Sequence, residues 1–176
     1  MSEKKNFKEM LVDVKAFAFD VDGVFSTTLT LLDSNGEMFR TANVKDGFII
    51  QLLAKKNYPI AIITGGNYIG VERRFKKLGV KDVYLSAFNK LKVLKEFISK
   101  YKLNPQNVLY TGDDIPDLLP MKYVGIPVCP YDAAEEIKNI SLFISDKKGG
   151  EGCVRDVVEQ VLRAKGEWLQ EDDYIW

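Results

Sequence analysis

The sequence predicts an α/β fold in which a parallel sheet carries helices on both faces, three layers in all, with one small β-hairpin inserted. Short β-rich runs alternate with segments of helical period along the chain, and strands that alternate with helices form parallel sheets. The chain has 176 residues, which is enough for one well-buried domain and too few for two ordinary ones. We therefore expect residues 1–176 to form a single domain of Rossmann-like architecture.

Strands are expected where apolar and β-branched residues cluster, and helices where apolar residues recur at helical spacing. The helix after the hairpin is expected to open at Lys45 or Asp46, the next to be capped by Asn67, and a third to open at Lys90. The six expected strands lie near residues 15–20, 58–63, 82–85, 108–111, 124–128 and 142–144.

Residues 24–42 break this alternation. Leu29, Leu31 and Met38 flank a turn sequence that contains Asn35-Gly36, and Asn-Gly is the strongest short signal for a hairpin. The apolar side chains of this hairpin exceed what a lone two-stranded ribbon can cover in water. We therefore expect copies of the chain to associate through the hairpin and to help close each other's sites, together with the residues around Gly149–Gly152.

The composition excludes several classes of function. Lys and Arg total 25, as do Asp and Glu, so no charge excess points to nucleic acid or an anionic membrane. Histidine is absent, which excludes histidine bases and histidine-ligated metals. No apolar stretch approaches the length of a membrane span. A cytoplasmic protein with a small-molecule or protein partner is expected.

Two carboxylates directly follow the first predicted strand. Asp20 and Asp22 end the apolar run 14–19, and Gly23 releases the backbone into a turn. In open α/β sheets, ligands bind in the crevice at the carboxyl ends of the strands. Taken alone, this pattern also fits an ordinary polar turn.

Three further polar motifs support a functional role for Asp20 and Asp22. Each follows a predicted strand, and a parallel sheet would bring all of them to the same edge. Singly, Thr64 could be a strand-end hydroxyl and Lys90 a solvated lysine. Asp114 and Asp117 could stabilise a helix N-terminus or support the site from behind. The motifs are Thr64-Gly65, Lys90, and the stretch 112–117 with Asp113, Asp114 and Asp117.

Carboxylates gathered at one edge need a counter-charge. Two of them ~4 Å apart repel by about 4 kcal/mol at an effective dielectric constant of 20, which one lysine does not offset. Oxygen ligands without histidine or cysteine favour Mg²⁺. A pocket of this kind would bind a phosphoryl group, with Asp20 as the nucleophile that forms an aspartyl-phosphate and Asp22 as general acid and base. Thr64 and Lys90 would bind the phosphoryl oxygens.

The order Asp-x-Asp, Thr, Lys, Gly-Asp-Asp-x-x-Asp resembles the haloacid dehalogenase superfamily of phosphohydrolases. The stretches 43–48, 79–80, 90–91 and 149–155 further resemble the 3-deoxy-D-manno-octulosonate 8-phosphate phosphatases, across roughly residues 15–165. By this resemblance Asp20 is the nucleophile and Asp22 the acid/base. It also makes Asp20, Asp22 through its carbonyl, and Asp113 the metal ligands, and assigns the phosphate to Lys90 and Thr64-Gly65.

The resemblance implies a capless, Mg²⁺-dependent phosphatase that hydrolyses a sugar-acid phosphate in lipopolysaccharide precursor synthesis, as a homo-oligomer and most simply a tetramer. A sugar acid carries a carboxylate, for which Arg74, on the helix after Thr64, is the expected partner. The chain has Gly66 where members of the family often have arginine, and Glu151 where arginine is common. Two alternatives therefore stay open: a 2-keto-3-deoxy-nononate 9-phosphate phosphatase, and a catalytically silent domain that binds a partner.

Overall fold

The computed structural model describes residues 6–174; residues 1–5 and 175–176 of the expected domain lie outside the described residues. The strands are β1 (Ala16–Phe19), β2 (Leu31–Leu32), β3 (Met38–Phe39), β4 (Ile60–Ile63), β5 (Asp82–Tyr84), β6 (Val108–Thr111), β7 (Ile126–Cys129) and β8 (Phe143–Ile144). The α-helices are α1 (Phe7–Met10), α2 (Val44–Lys55), α3 (Ile69–Lys77), α4 (Lys90–Lys100), α5 (Leu118–Tyr123), α6 (Glu135–Lys138) and α7 (Cys153–Ala164).

Six strands form one parallel sheet in the order β5-β4-β1-β6-β7-β8, which confirms the predicted fold class and strand positions. β1 lies in the middle, with Phe19 paired to Ile62 of β4 on one side and to Thr111 of β6 on the other. Residues that follow β1, β4 and β6 therefore meet at the same edge. None of the helices within residues 6–174 is long and apolar enough to cross a membrane.

Side-chain alternation along β1 divides the core into two layers. Phe17 and Phe19 pack with buried residues of α2, α3 and α7. Ala16 and Ala18 pack on the opposite face with residues of α4, α5 and α6. Both faces of the sheet are covered by helices, as the sequence predicts, and this explains why all four β1 residues are buried.

Two predicted helix starts are wrong and one is confirmed. α2 begins at Val44 because Asn43 is the cap, with its side chain accepting from the backbone N–H of Lys45 at 2.9 Å. α3 begins at Ile69, and Tyr68 in the cap position makes no side-chain capping bond, so Asn67 is not the cap. α4 begins at Lys90 as predicted.

The predicted hairpin is present and projects from the sheet. β2 and β3 pair antiparallel, with Leu31 opposite Phe39, around the Asp33–Gly36 turn. Asp33 accepts from the backbone N–H groups of Asn35 and Glu37 and so stabilises the turn. Leu31 is 76% exposed, so the apolar surface of this ribbon is open to solvent.

Asp46 is a buried carboxylate on α2 that caps a different helix. Gly152 precedes α7 with a φ of 104° and offers no side chain for capping. Asp46 Oδ1 accepts instead from the backbone N–H of Arg155 at 2.8 Å, while its Oδ2 has no partner among the described residues. Burial raises the pKa of Asp46 to about 6, against the backbone hydrogen bonds that favour its charged form.

We expect Asp46→Asn to become more stable relative to wild type as the pH is raised from about 4 to 8. The folded-state pKa of about 6 exceeds the usual value of 3.8, so the wild-type contribution is full below about pH 4 and is lost as the pH rises through 6. Urea titrations should show a relative gain of up to about 3 kcal/mol for Asp46→Asn, which keeps an oxygen acceptor without charge. Asp46→Ala should be destabilised at every pH; a pH-independent difference for Asp46→Asn would contradict this expectation.

Candidate active site

The predicted polar motifs meet at the carboxyl edge of the sheet. Asp20 follows β1, Asp113 follows β6, and Lys90 opens α4 after β5. The Lys90 ammonium lies 2.9 Å from Asp20 Oδ1. The cleft at this edge has a volume of about 390 Å³. It is lined by Asp20, Asp22, Gly23, Thr27, Thr28, Thr30, Met38, Lys90, Asp113, Asp114 and Pro116.

Asp117 is the buried anchor of Lys90. Its Oδ1 accepts from Lys90 Nζ and from the Tyr110 hydroxyl, both at 2.8 Å. Its Oδ2 accepts from the backbone N–H of Asp113 at 3.3 Å. Burial lowers the pKa of Lys90, but Asp20 and Asp117 outweigh this effect and the net shift is upward. Lys90 therefore stays charged, and Asp117 holds it between two carboxylates.

The negative charge in this group exceeds what Lys90 supplies. Burial, followed by repulsion from Asp117, raises the pKa of Asp20 well above its usual value. The same two causes raise the pKa of Asp113 to about 7. The site therefore stabilises further positive charge.

The donor set fits a hard divalent cation. Oxygens of Asp20, Asp113 and Asp117 lie within 4.8 Å of one another. Asp113 Oδ1 is buried and has no hydrogen-bond partner among the described residues, whereas both oxygens of Asp117 are occupied. A side chain at Gly23 would bring its Cβ to 1.9 Å from Asp113 Oδ2. Glycine thus lets Asp113 lie against the backbone beside Asp22, where a backbone carbonyl could complete an oxygen ligand set.

The Asp22 side chain lies outside this acidic group and pairs with a residue that the sequence analysis missed. Arg40, which follows β3, donates from Nε to Asp22 Oδ1 at 2.6 Å and from Nη2 to Oδ2 at 2.9 Å. Ser26 also donates to Asp22 Oδ1, at 3.2 Å. No local pattern marks Arg40, because the contact depends on the path of the whole hairpin.

Thr64 directly follows β4, the neighbour of β1, and it is buried. Its Oγ1 accepts from the backbone N–H of Gly66 at 3.1 Å, which leaves the hydroxyl proton free to donate. Gly65, the next residue, is exposed.

Asp114 is exposed at the rim of the cleft, where its carbonyl accepts from the backbone N–H of Asp117 at 2.8 Å.

Arg74 is not among the residues that line the cleft. It lines a neighbouring cavity of about 230 Å³ together with Arg40, Tyr68 and apolar residues of α3. Its guanidinium lies against Gly47, where an added Cβ would come within 2.5 Å of Nη2. A contact between Arg74 and a substrate carboxylate stays a prediction.

The loop 149–152 packs on its own chain. The backbone N–H of Gly150 donates to the Val24 carbonyl at 2.8 Å. A Cβ at Gly149 would meet the Gly23 carbonyl oxygen at 1.9 Å. This loop thus supports the turn that carries Asp20 and Asp22, and its expected role at a neighbour's site stays a prediction.

Comparison with known proteins identifies the family. A family model for haloacid dehalogenase-like hydrolases matches residues 36–125. The 3-deoxy-D-manno-octulosonate 8-phosphate phosphatase KdsC of Salmonella typhi is 35% identical over 154 residues, which cover 88% of this chain and 82% of the relative. The KdsC protein of Yersinia pestis is 33% identical over 153 residues, or 87% and 82% of the two chains.

Solved structures agree. The 3-deoxy-D-manno-octulosonate 8-phosphate phosphatase of Moraxella catarrhalis, determined with magnesium, phosphate and KDO, superposes with a TM-score of 0.87 at 31% identity. The match covers 92% of this chain and 93% of that one. The chain therefore belongs to the haloacid dehalogenase-like hydrolases. Within that family it is a phosphatase of the KdsC-like kind.

Removal of Asp117 should destabilise the fold strongly. Asp117→Ala leaves the Tyr110 hydroxyl without its acceptor and Lys90 with one carboxylate instead of two. A buried donor left without its acceptor costs about 1–3 kcal/mol, and both the Tyr110 hydroxyl and the Asp113 backbone N–H lose theirs, so chemical denaturation should show a loss of at least this size. The matched change Asp114→Ala, at an exposed position, should alter the free energy of unfolding by less than about 0.5 kcal/mol. Equal effects of the two changes would contradict the anchoring role of Asp117.

Proposed function

We propose that this chain is a Mg²⁺-dependent phosphomonoester hydrolase of the cytoplasm that acts on 3-deoxy-D-manno-octulosonate 8-phosphate in lipopolysaccharide precursor synthesis. The observation that carries the proposal is the buried group of Asp20, Asp113 and Asp117, which Lys90 alone leaves short of positive charge. Such a group binds a divalent cation and, with it, a phosphate dianion. Residues 1–176 would act as one phosphatase domain.

In this proposal Asp20 attacks the phosphorus in line and forms an aspartyl-phosphate. Lys90, 2.9 Å from Asp20 Oδ1, orients the nucleophile and neutralises an equatorial phosphoryl oxygen. The oxygen of the Thr64 hydroxyl already accepts from the backbone N–H of Gly66. The hydroxyl group donates a hydrogen bond to a second phosphoryl oxygen, beside the backbone of Gly65. Mg²⁺ bound by Asp20, Asp113 and the Asp22 carbonyl would reduce the repulsion between nucleophile and phosphate.

Asp22 supplies the acid and base in this mechanism. It gives its proton to the bridging oxygen as the P–O bond breaks, then takes a proton from the water that hydrolyses the aspartyl-phosphate. The side chain is 39% exposed, so the hydrolytic water can reach it after the leaving group has departed. It also lies in the wall of the cleft, where the leaving group must depart.

The substrate assignment rests on the relatives and on the shape of the cleft. The Moraxella catarrhalis phosphatase was solved with the sugar acid KDO, and the KdsC relatives carry the octulosonate phosphate in their names. Thr27, Thr28 and Thr30, which carry hydroxyl groups, line the same cleft as the carboxylates. Such groups suit a polyhydroxylated chain, and Arg74 remains the proposed partner of its carboxylate.

The decisive experiment measures phosphate release from a panel of sugar-acid phosphates with and without Mg²⁺. We expect wild-type turnover to need the metal and to favour the octulosonate phosphate over the nononate phosphate. Asp20→Asn should reduce kcat by at least about 1,000-fold, because it removes the nucleophile at constant volume.

Asp146→Asn, a change at an exposed carboxylate away from the cleft, is the matched control and should leave kcat unchanged. Thermal unfolding should show that Asp20→Asn is folded. Retention of more than a few per cent of activity by Asp20→Asn would exclude the covalent mechanism. A wild-type protein that releases no phosphate under any of these conditions would overturn the proposed function.

We further propose that the working unit is a homo-oligomer, most simply a tetramer, assembled through the hairpin. Leu29, Leu31 and Leu32 are 84%, 76% and 68% exposed, more apolar surface than a short ribbon retains in water. The same segment lines the cleft through Thr28, Thr30 and Met38. Contacts between hairpins would therefore also fix one wall of each active site.

Leu31→Lys should dissociate the oligomer and lower activity together. The substituted ammonium would have to be buried in the interface between copies, at a cost that the assembly does not recover. Sedimentation velocity and phosphate release, followed over the same concentration range, provide the measurement. Leu142→Lys, at an exposed leucine next to β8, is the control and should leave both unchanged. A fully active wild-type monomer would remove the proposal.

A further inference from the structure

We infer that Arg40 is the positioning residue of the acid/base Asp22, and that it acts on the reaction through Asp22 alone. This inference rests on the proposed function, in which Asp22 moves the protons. Arg40 lies at the end of the hairpin, 18 positions from Asp22, yet its guanidinium makes two hydrogen bonds of 2.6 and 2.9 Å to the two carboxylate oxygens. A bidentate pair fixes the plane of a carboxylate as well as its distance.

The environment of Arg40 is built to hold this geometry. Its side chain is only 8% exposed. The guanidinium carbon lies 6.0 Å from the centre of the Tyr68 ring, and Nη1 donates to the Met38 carbonyl at 3.4 Å. A side chain at Gly66 would put a Cβ 3.0 Å from Nη2, so glycine leaves room for the group.

Asp22 has no comparable second restraint. The Ser26 hydroxyl, at 3.2 Å, contacts only Oδ1, whereas Oδ2 has Arg40 as its hydrogen-bond partner within residues 6–174. The carboxylate is also 39% exposed. Without Arg40 it could rotate about its side-chain torsions toward solvent, and a general acid displaced by about 1 Å loses up to about 100-fold in rate.

Arg40 also connects the hairpin to the chemistry. The residue next to it, Thr41, accepts through Oγ1 from the backbone N–H of Thr27 at 3.3 Å, which closes the base of the hairpin over the catalytic turn. The position of the Asp22 carboxylate is therefore set by Arg40, at the end of an exposed hairpin. A change in the conformation of the hairpin would move Arg40, and through the Arg40–Asp22 ion pair it would alter the proton-transfer step.

The test compares substrates that differ in their need for an acid. An alkyl leaving group, as in the octulosonate phosphate, must be protonated, whereas p-nitrophenolate leaves as an anion. Arg40→Gln should lower kcat for the alkyl ester by about 10- to 100-fold and have a smaller effect on the burst of p-nitrophenol that reports aspartyl-phosphate formation. KM should change little for either. Arg40→Lys, which keeps the charge but not the paired geometry, should recover part of the loss.

A double-mutant comparison separates action through Asp22 from any direct contact with substrate. In an Asp22→Asn background, Arg40→Gln should cause no further loss of kcat for the alkyl ester. Arg163→Gln, at an exposed arginine of α7, is the control and should match wild type. Thermal unfolding of every variant should show that the proteins are folded.

The outcomes are distinct. Three results would each overturn the inference while the proposed function stands. They are a burst rate for p-nitrophenol that falls as much as kcat for the alkyl ester, a rise in KM confined to the sugar-acid phosphate, and an undiminished loss of kcat in the Asp22→Asn background. A wild-type protein without activity on either substrate would instead overturn the proposed function. A leaving-group-dependent loss that vanishes in the Asp22→Asn background would establish Arg40 as the positioning residue.

Discussion

One buried ammonium group, that of Lys90, connects the elements that meet at the carboxyl edge of the sheet. It contacts carboxylates from two different parts of the chain, Asp20 after β1 and Asp117 in the turn before α5. A buried charge is tolerated only when it is paired and hydrogen-bonded. The two ion pairs of Lys90 therefore connect β1, α4 and the 115–117 turn.

The same group lacks positive charge on the side that faces the cleft. Three aspartates surround one lysine, and burial, followed by repulsion from Asp117, raises the pKa values of Asp20 and Asp113. The surrounding fold supplies the stability that this arrangement costs, since the sheet beneath it is buried on both faces. Binding of a cation would relieve the repulsion between the carboxylates. The site thus lowers the stability of the unliganded fold and raises its affinity for a cation, as functional sites commonly do.

Much of this arrangement could be predicted because it follows from the topology of the sheet. Asp20, Lys90 and Asp113 each follow a strand, and parallel neighbours must bring such residues together. Arg40 could not be found in this way, because its contact with Asp22 depends on the three-dimensional path of a hairpin. Asn67 shows a smaller failure of the same kind. It is a good cap by composition, but the chain continues in extended form to Tyr68 before α3 begins.

The turn that carries Asp20 and Asp22 is completed by glycines that follow the last strand of the sheet. A Cβ at Gly149 would lie 1.9 Å from the Gly23 carbonyl oxygen, so position 149 has no space for a larger residue in this packing, and the backbone N–H of Gly150 donates to the Val24 carbonyl. The contacting segments lie far apart in the sequence, because Asp20 follows the first strand of the sheet and the supporting loop follows the last. A chain without the last strand and this loop would therefore carry Asp20 in a turn that lacks its support, so the pocket forms only when the whole sheet has formed.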